Sequence, residues 1–411
     1  MTLSTTALLL AACQGGAWMP DWEFPNPQYV SSLAVLADRD LDARPELLLG
    51  STRDRRVDLV SSRTGAPIYS ILSSGLPDQF GCSVVRLGDL DHDSFEDFAV
   101  GAYLDSRNGP YAHGAVHVYS GRDGVQLSMA LGVIAQEYLG AAMFSPGDLD
   151  GDGWSDILAT SHVSLSNPLN VSMRAISSRT GATLYWIHPP PTDTSFNAGG
   201  VGLKDCDGDL VPDYAVSASG TAHMGTVNGG WVGIYSGASG VLLVQMPGWI
   251  PSQGFGTLLG RAGDLNDDGF DDLIASGGAG PGENPAGLAI SGRNLSVLFP
   301  LDADPIRPEI WSAAGGGVDF DGDGVLDLFV SDRQADVPGE LENGRITVFH
   351  GGTGARTLEI WGDLASSLGQ QAILLDAGGR SRRPGILAIS SDPLTHRIHG
   401  FAFEDLLYAS T

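Results

Sequence analysis

The sequence predicts an all-β chain, folded as a seven-bladed β-propeller of four-stranded antiparallel blades. Three observations predict it. A loop of the form D-x-D-x-D-x-x-x-D recurs at Asp38, Asp89, Asp148, Asp205, Asp264 and Asp319, with a degenerate seventh copy at Asp376. Successive copies lie 51 to 59 residues apart, a period long enough for four short strands. Glycine is abundant, at 57 of 411 residues, and the apolar runs are short, which suits strands and tight turns rather than helices.

Each repeat reads as four strands. In the second, Cys82–Leu87 is the first strand, the Asp loop follows, and Asp97–Gly101 opens the second strand. Ala115–Ser120 is the third strand and Val125–Leu131 the fourth, with Gly121-Arg122-Asp123-Gly124 as the turn between them. The third strand recurs as Arg174–Ser177, Trp231–Ser236 and Arg345–His350. Second strands such as Ile157–Thr160 and Leu328–Val330 are nearly all apolar and read as buried on both faces. Residues 17–29 supply a strand to complete the last blade.

The loop pattern carries chemistry. Side chains at positions 1, 3 and 5 of a tight loop converge with the carbonyl at position 7 and the carboxylate at position 9. That all-oxygen set suits Ca²⁺ better than Zn²⁺ or Mg²⁺. Position 6 calls for glycine, because the chain turns there with positive φ. Three copies meet every requirement: Asp148, Asp150, Asp152, Trp154 and Asp156 with Gly153; Asp264, Asn266, Asp268, Phe270 and Asp272 with Gly269; Asp319, Asp321, Asp323, Val325 and Asp327 with Gly324. Three are weaker at position 6: Asp89, Asp91, Asp93, Phe95 and Asp97 with Ser94; Asp205, Asp207, Asp209, Val211 and Asp213 with Leu210; Asp38, Asp40, Asp42, Arg44 and Glu46 with Ala43. The seventh loop offers Asp376, Gly378, Arg380 and Pro384 and is expected to bind no metal. Three strong calcium sites are therefore expected, and up to six.

The formal net charge is −27, and 23 of the 49 acidic residues occupy ligand positions of these six loops. So acidic a surface repels phosphate backbones and excludes nucleic acid as a partner. No stretch approaches the roughly 18 apolar residues of a membrane-spanning helix. The three cysteines, Cys13, Cys82 and Cys206, are too few for a disulfide framework. Residues 1–16 read as an export signal, and Leu10-Ala11-Ala12-Cys13 is similar to a lipobox, which would lipidate Cys13. Residues 17–411 read as one propeller domain. The chain is expected outside the cytoplasm, as an extracellular, periplasmic or cell-surface protein.

Phe80-Gly81 precedes the second loop, Gly101-Ala102 follows it, and Phe255-Gly256 precedes the fifth; Leu139-Gly140 and Leu368-Gly369 hold the same place elsewhere. With the Asp loop, these residues make the chain resemble the FG-GAP and VCBS repeat family, whose best-known members are the integrin α-subunit N-terminal propellers. The resemblance spans residues 31–411. It implies Ca²⁺ in the hairpins between the first two strands of blades, and a role in extracellular adhesion or ligand binding.

No Gly-x-Ser-x-Gly elbow, His-Glu-x-x-His helix or phosphate-cradling loop is present. His113, His117, His396 and His399 form no constellation, so no catalytic residue is assigned. The reading is an adhesion module for a protein or carbohydrate ligand. A polysaccharide lyase-like enzyme and a purely structural surface protein stay open as alternatives. Trp18, Trp22, Trp154, Trp186, Trp231, Trp249, Trp311 and Trp361 read as blade core before they read as sugar platforms.

Overall fold

The structure, a computed structural model, describes residues 22–26, 30–39, 44–73, 78–109, 111–161, 172–188, 196, 199–219, 229–248, 254–277, 287–301, 313–320, 323–332, 335, 344–361, 371–375, 385–391 and 396–402. It is all-β, and among the described residues every strand belongs to a four-stranded antiparallel sheet. Six sheets are blades made from one repeat each, with the four strands side by side in chain order. Blade 1 is Ser32–Leu36, Glu46–Ser51, Arg56–Ser61 and Pro67–Leu72. Blade 2 is Phe80–Gly88, Asp97–Ala102, Ala115–Tyr119 and Gln126–Leu131. Blade 3 is Met143–Gly147, Asp156–Ser161, Ser172–Ile176 and Thr183–Ile187. Blade 4 is Gly200–Gly202, Tyr214–Ala218, Trp231–Tyr235 and Leu242–Pro247. Blade 5 is Leu259–Gly263, Asp272–Ser276, Gly287–Ile290 and Val297–Leu301, and blade 6 is Ala313–Val318, Asp327–Asp332, Arg345–Phe349 and Arg356–Trp361.

The expectation of seven blades does not hold, although the segment 17–29 does supply a strand to the last sheet, as Trp22–Asn26. Among the described residues, blades built from a single repeat number six. The remaining sheet is a composite, in which Trp22–Asn26 pairs with His396–Ala402 beside Gly385–Ser391 and Gln371–Leu375. Its sequence explains the difference: the seventh repeat has lost the Asp pattern, and its loop at 376–384 lies outside the described residues. The chain also divides into two compact units, Gln28–Thr257 holding blades 1 to 4, and Met1–Pro27 with Leu258–Thr411 holding blades 5 and 6 and the composite sheet. The fold supplies the hairpins of that expectation but does not itself show calcium in them.

The cores lie between blades, because second and third strands such as Asp97–Ala102 and Ala115–Tyr119 are buried on both faces. Leu48 and Leu59 of blade 1 meet Phe98 and Val100 of blade 2. Val116 and Val118 meet Ile157 and Ala159 of blade 3. Met173 of blade 3 meets Tyr214 and Trp231 of blade 4, and Ile274 of blade 5 meets Leu328 and Phe349 of blade 6. The second strand of blade 2 is buried at all six residues, as its unbroken apolar run predicts. Each such Leu, Val or Phe contributes roughly 1.5–3 kcal/mol on burial. Trp231 is wholly buried and serves as core.

Neighbouring blades approach most closely at glycine. A Cβ on Gly101 would collide with the carbonyl of Gly140, and one on Gly50 with the carbonyl of Gly81. Hydroxyls close the same contacts: Ser83 donates to Gly140 O at 2.7 Å and Ser32 to Gly81 O at 2.9 Å. Phe80-Gly81 and Leu139-Gly140 thus lie at seams between blades.

Candidate metal loops

Each Asp loop connects the first strand of its blade to the second, and its geometry repeats. The position-1 aspartate folds the loop onto itself. Asp148 accepts from Gly151 N–H at 2.7 Å and Gly153 N–H at 2.8 Å. Asp205 does the same with Gly208 at 2.6 Å and Leu210 at 2.8 Å. Asp89 accepts from Ser94 N–H at 2.9 Å, Asp264 from Gly269 at 2.8 Å and Asp319 from Gly324 at 2.8 Å. At position 5, one carboxylate oxygen accepts the N–H of position 7 in five loops: Phe95, Trp154, Val211, Phe270 and Val325, at 2.8 to 3.0 Å.

The position-9 aspartate has a second task that the sequence did not disclose. Its oxygens staple the loop to the turn between strands three and four of the same blade. Asp97 accepts from Leu90 N–H at 2.7 Å and Gly121 N–H at 2.8 Å. Asp156 accepts from Leu149 at 2.8 Å and Ser178 at 3.2 Å. Asp213 accepts from Cys206 at 2.6 Å and Gly237 at 2.8 Å, and Asp272 from Leu265 at 2.8 Å and Gly292 at 3.1 Å. Asp327 repeats this with Phe320 at 2.9 Å and Gly351 at 3.2 Å. In the first loop Glu46 accepts from Arg39 N–H at 2.8 Å, so the longer acid keeps half of the staple.

Among the described residues, carboxylates converge in three loops: Asp89, Asp91 and Asp97; Asp148, Asp150 and Asp156; Asp205, Asp207 and Asp213, each group with one oxygen per residue within 4.8 Å of the others. The set fits a hard dication. Burial pushes Asp156 up to about 7, with the charges of Asp150 and Asp148 adding to it, while the N–H bonds from Leu149 and Ser178 oppose the shift. Burial likewise raises Asp97 and Asp272 to about 6, and raises Asp213. A buried carboxylate that resists ionising among other carboxylates lacks a counter-ion, and a cation at the loop centre would supply one. Each oxygen has two lone pairs, so an N–H bond does not bar it from a metal.

Two of the converging sets, at Asp89 and Asp205, carry Ser94 and Leu210 at position 6. Both residues adopt the required positive φ, 75° and 72°, beside 88° at Gly153. Nothing lies within 4 Å of the Cβ that Gly153, Gly269 or Gly324 would carry, so position 6 demands a backbone angle and not space. Position 4 is left-handed as well, at His92, Gly151, Gly208 and Asp267, which sequence reading missed. In the fifth loop the Asn266 side-chain amide Nδ2 donates to Asp268 Oδ2 at 3.3 Å. Asp40, Asp42 and Asp321 lie outside the described residues, as does Cys13.

Leu210 is 91% exposed and gives up no packing if truncated. Leu210→Gly is expected to raise stability by about 1 kcal/mol, since a left-handed non-glycine residue costs roughly 1–2 kcal/mol, partly offset by glycine's entropy in the unfolded chain. Urea unfolding in EDTA checks this, and a loss of stability would contradict it.

Basic side chains from neighbouring turns sit over the position-7 aromatics. Arg179 lies 5.2 Å from the ring centre of Trp154, and Arg293 5.2 Å from that of Phe270. Phe95 is covered by Arg39 of the first loop, at 4.8 Å. Arg39 also donates to Gly121 O at 2.6 Å and so ties blade 1 to blade 2. These residues were predicted to ligate only through their backbone.

Comparison with known proteins places this geometry. No family model matches the chain. Segments are similar to integrin alpha-4 of Xenopus laevis (28% identity over 147 residues, 31% of this chain and 14% of that protein) and integrin alpha-2 of Bos taurus (30% over 88 residues, 19% and 7%). A third is similar to integrin alpha-5 of Xenopus laevis (33% over 88 residues, 20% and 8%). The chain thus spans between 7% and 14% of the length of these relatives. Among solved structures, a chain in the crystal structure of BBS1N in complex with ARL6DN has the same fold, with a TM-score of 0.56 over 94% of this chain and 97% of that one at 11% identity. The matched segments are thus integrin alpha-like, and the solved structure shares the fold.

Proposed function

We propose that this chain is an extracellular calcium-binding propeller of the FG-GAP type, acting as an adhesion module for a protein ligand. The observation that carries the reading is the recurrence of three converging carboxylates in loops of one geometry, at Asp89, Asp148 and Asp205. In such a module the metal is structural. Asp150, Asp207 and their counterparts would hold the ion, and the ion would supply the charge that lets several carboxylates share one loop. The position-9 aspartates keep the loop registered to the outer hairpin, so that the blades present their connecting loops rigidly to a partner. Export of the chain, lipidation of Cys13 and a carbohydrate ligand belong to the same proposal and rest on the sequence alone.

The test is calcium titration of the EDTA-stripped chain by calorimetry, with thermal unfolding in parallel. Saturable binding is expected, with the midpoint rising as calcium is added. At free calcium of about 100 times the dissociation constant, each filled loop stabilises the fold by about 2.7 kcal/mol. No heat and no shift in midpoint, from folded protein, would end this reading.

A further inference from the structure

The loops are not equivalent in charge. The position-7 N–H goes to the first oxygen of the position-5 aspartate, so the second keeps more of its lone pairs for an ion. In blade 3 that oxygen, Asp152 Oδ2, faces the Arg179 guanidinium at 3.9 Å. Arg179 comes from the turn after the third strand and is parked there by its stack on Trp154. In blade 6 the equivalent oxygen, Asp323 Oδ2, lies 2.9 Å from His350 Nε2, from the same turn of its own blade. Among the described residues, the corresponding carboxylates of blades 2 and 4, Asp93 and Asp209, accept N–H groups of their own loops and meet no basic side chain, although Arg122 sits in the blade 2 turn where Arg179 sits in blade 3.

We propose that Arg179 is a tethered competitor for the metal of the blade 3 loop, so that this loop fills after those of blades 2 and 4. The inference rests on the calcium reading above and adds an order of filling to it. A guanidinium cannot lose its charge at any relevant pH. An incoming ion must therefore displace it from Asp152 or bind in its field, and both weaken binding. The contact is long and Arg179 is half-exposed, so solvent screens it and the effect is modest. The resulting order reverses the ranking by position 6, in which the blade 3 loop stood among the three best.

Trp154 makes the test site-specific. It is the sole tryptophan among the six loops, at position 7, where it sensitises a lanthanide bound in its own loop. The full chain is titrated with Tb³⁺, exciting tryptophan and reading terbium luminescence, with total uptake followed by calorimetry. Trp154→Phe should abolish the signal and so assign it. In the wild type, luminescence should lag behind uptake. Arg179→Gln should remove the lag and tighten the luminescent site by roughly three- to tenfold at low salt, the gain shrinking in 1 M salt. Arg179→Lys, which keeps the charge, should stay within about twofold of the wild type. Unchanged or weaker binding in Arg179→Gln overturns the inference while leaving the calcium reading intact. No luminescence in either protein also overturns it, and absence of calcium heat in the same samples would remove the calcium reading with it.

Discussion

Asp156→Ala is expected to destabilise the chain by about 3–4 kcal/mol in EDTA, before calcium enters the comparison. Its two oxygens accept N–H groups of Leu149 and Ser178, both buried. Truncation leaves two buried donors without partners, at roughly 1–3 kcal/mol each. Part of that cost is returned, since burial already holds the carboxyl up at about 7. Asp150→Asn is the contrast. Asp150 is exposed, and one of its oxygens accepts only the loop's own Asp152 N–H, a bond that asparagine can keep. It should stay within about 0.5 kcal/mol of the wild type in EDTA and lose stability only relative to the calcium-loaded state. Urea unfolding of both variants with and without calcium separates the staple from the ligand. Equal effects of the two substitutions in EDTA would sink the distinction.

A comparable loss is expected at a position far from the loops. Arg174 and Glu137 form an ion pair at 2.9 Å with side chains 3% and 0% exposed. Arg174 also donates to Leu131 O at 3.1 Å and lies 5.1 Å from the ring centre of Trp186. Glu137 accepts the N–H groups of Val133 at 2.5 Å and Ile134 at 3.0 Å with its other oxygen. Glu137→Ala strands a guanidinium in a dry site and should cost about 3–5 kcal/mol. Changing both partners to methionine removes the charges together, so the double variant should recover most of that loss. Denaturant midpoints of the two single variants and the double variant complete the cycle. A Glu137→Ala protein within 1 kcal/mol of the wild type would show that water reaches the pair.

Most strands were legible because blade strands obey local rules. The period of the Asp loops located the hairpins, and the apolar runs between turn signals located the second and third strands to within a residue or two. The number of blades was not legible in the same way. Counting loops treats Asp376 as one more repeat, whereas the last sheet depends on pairing between Trp22–Asn26 and His396–Ala402, residues almost the whole chain apart. Within the loops, ligand-type residues were readable from spacing, but the staple was not, since Asp213 and Gly237 are related only by the folded blade. Buried polar residues in the third strands were missed for a similar reason. His117 looks like a surface residue in an alternating strand, yet it is 4% exposed, contacts Arg107 at 2.8 Å and packs on Phe80. Its partner arrives from a connection that no periodicity marks.

The seams at Gly50 and Gly101 have a direction. Blades 1 and 2 each offer a bare Cα and a serine hydroxyl, and the blade that follows offers a carbonyl to receive them. A fragment ending after blade 1 would keep the donor half of a seam and lose the acceptor half. Such an end is unsaturated in the way an unpaired strand edge is, and another copy carrying a free acceptor would complete it. Truncations at blade boundaries should therefore yield head-to-tail chains rather than smaller monomers, and a serine-to-valine change at the terminal seam should cap their growth.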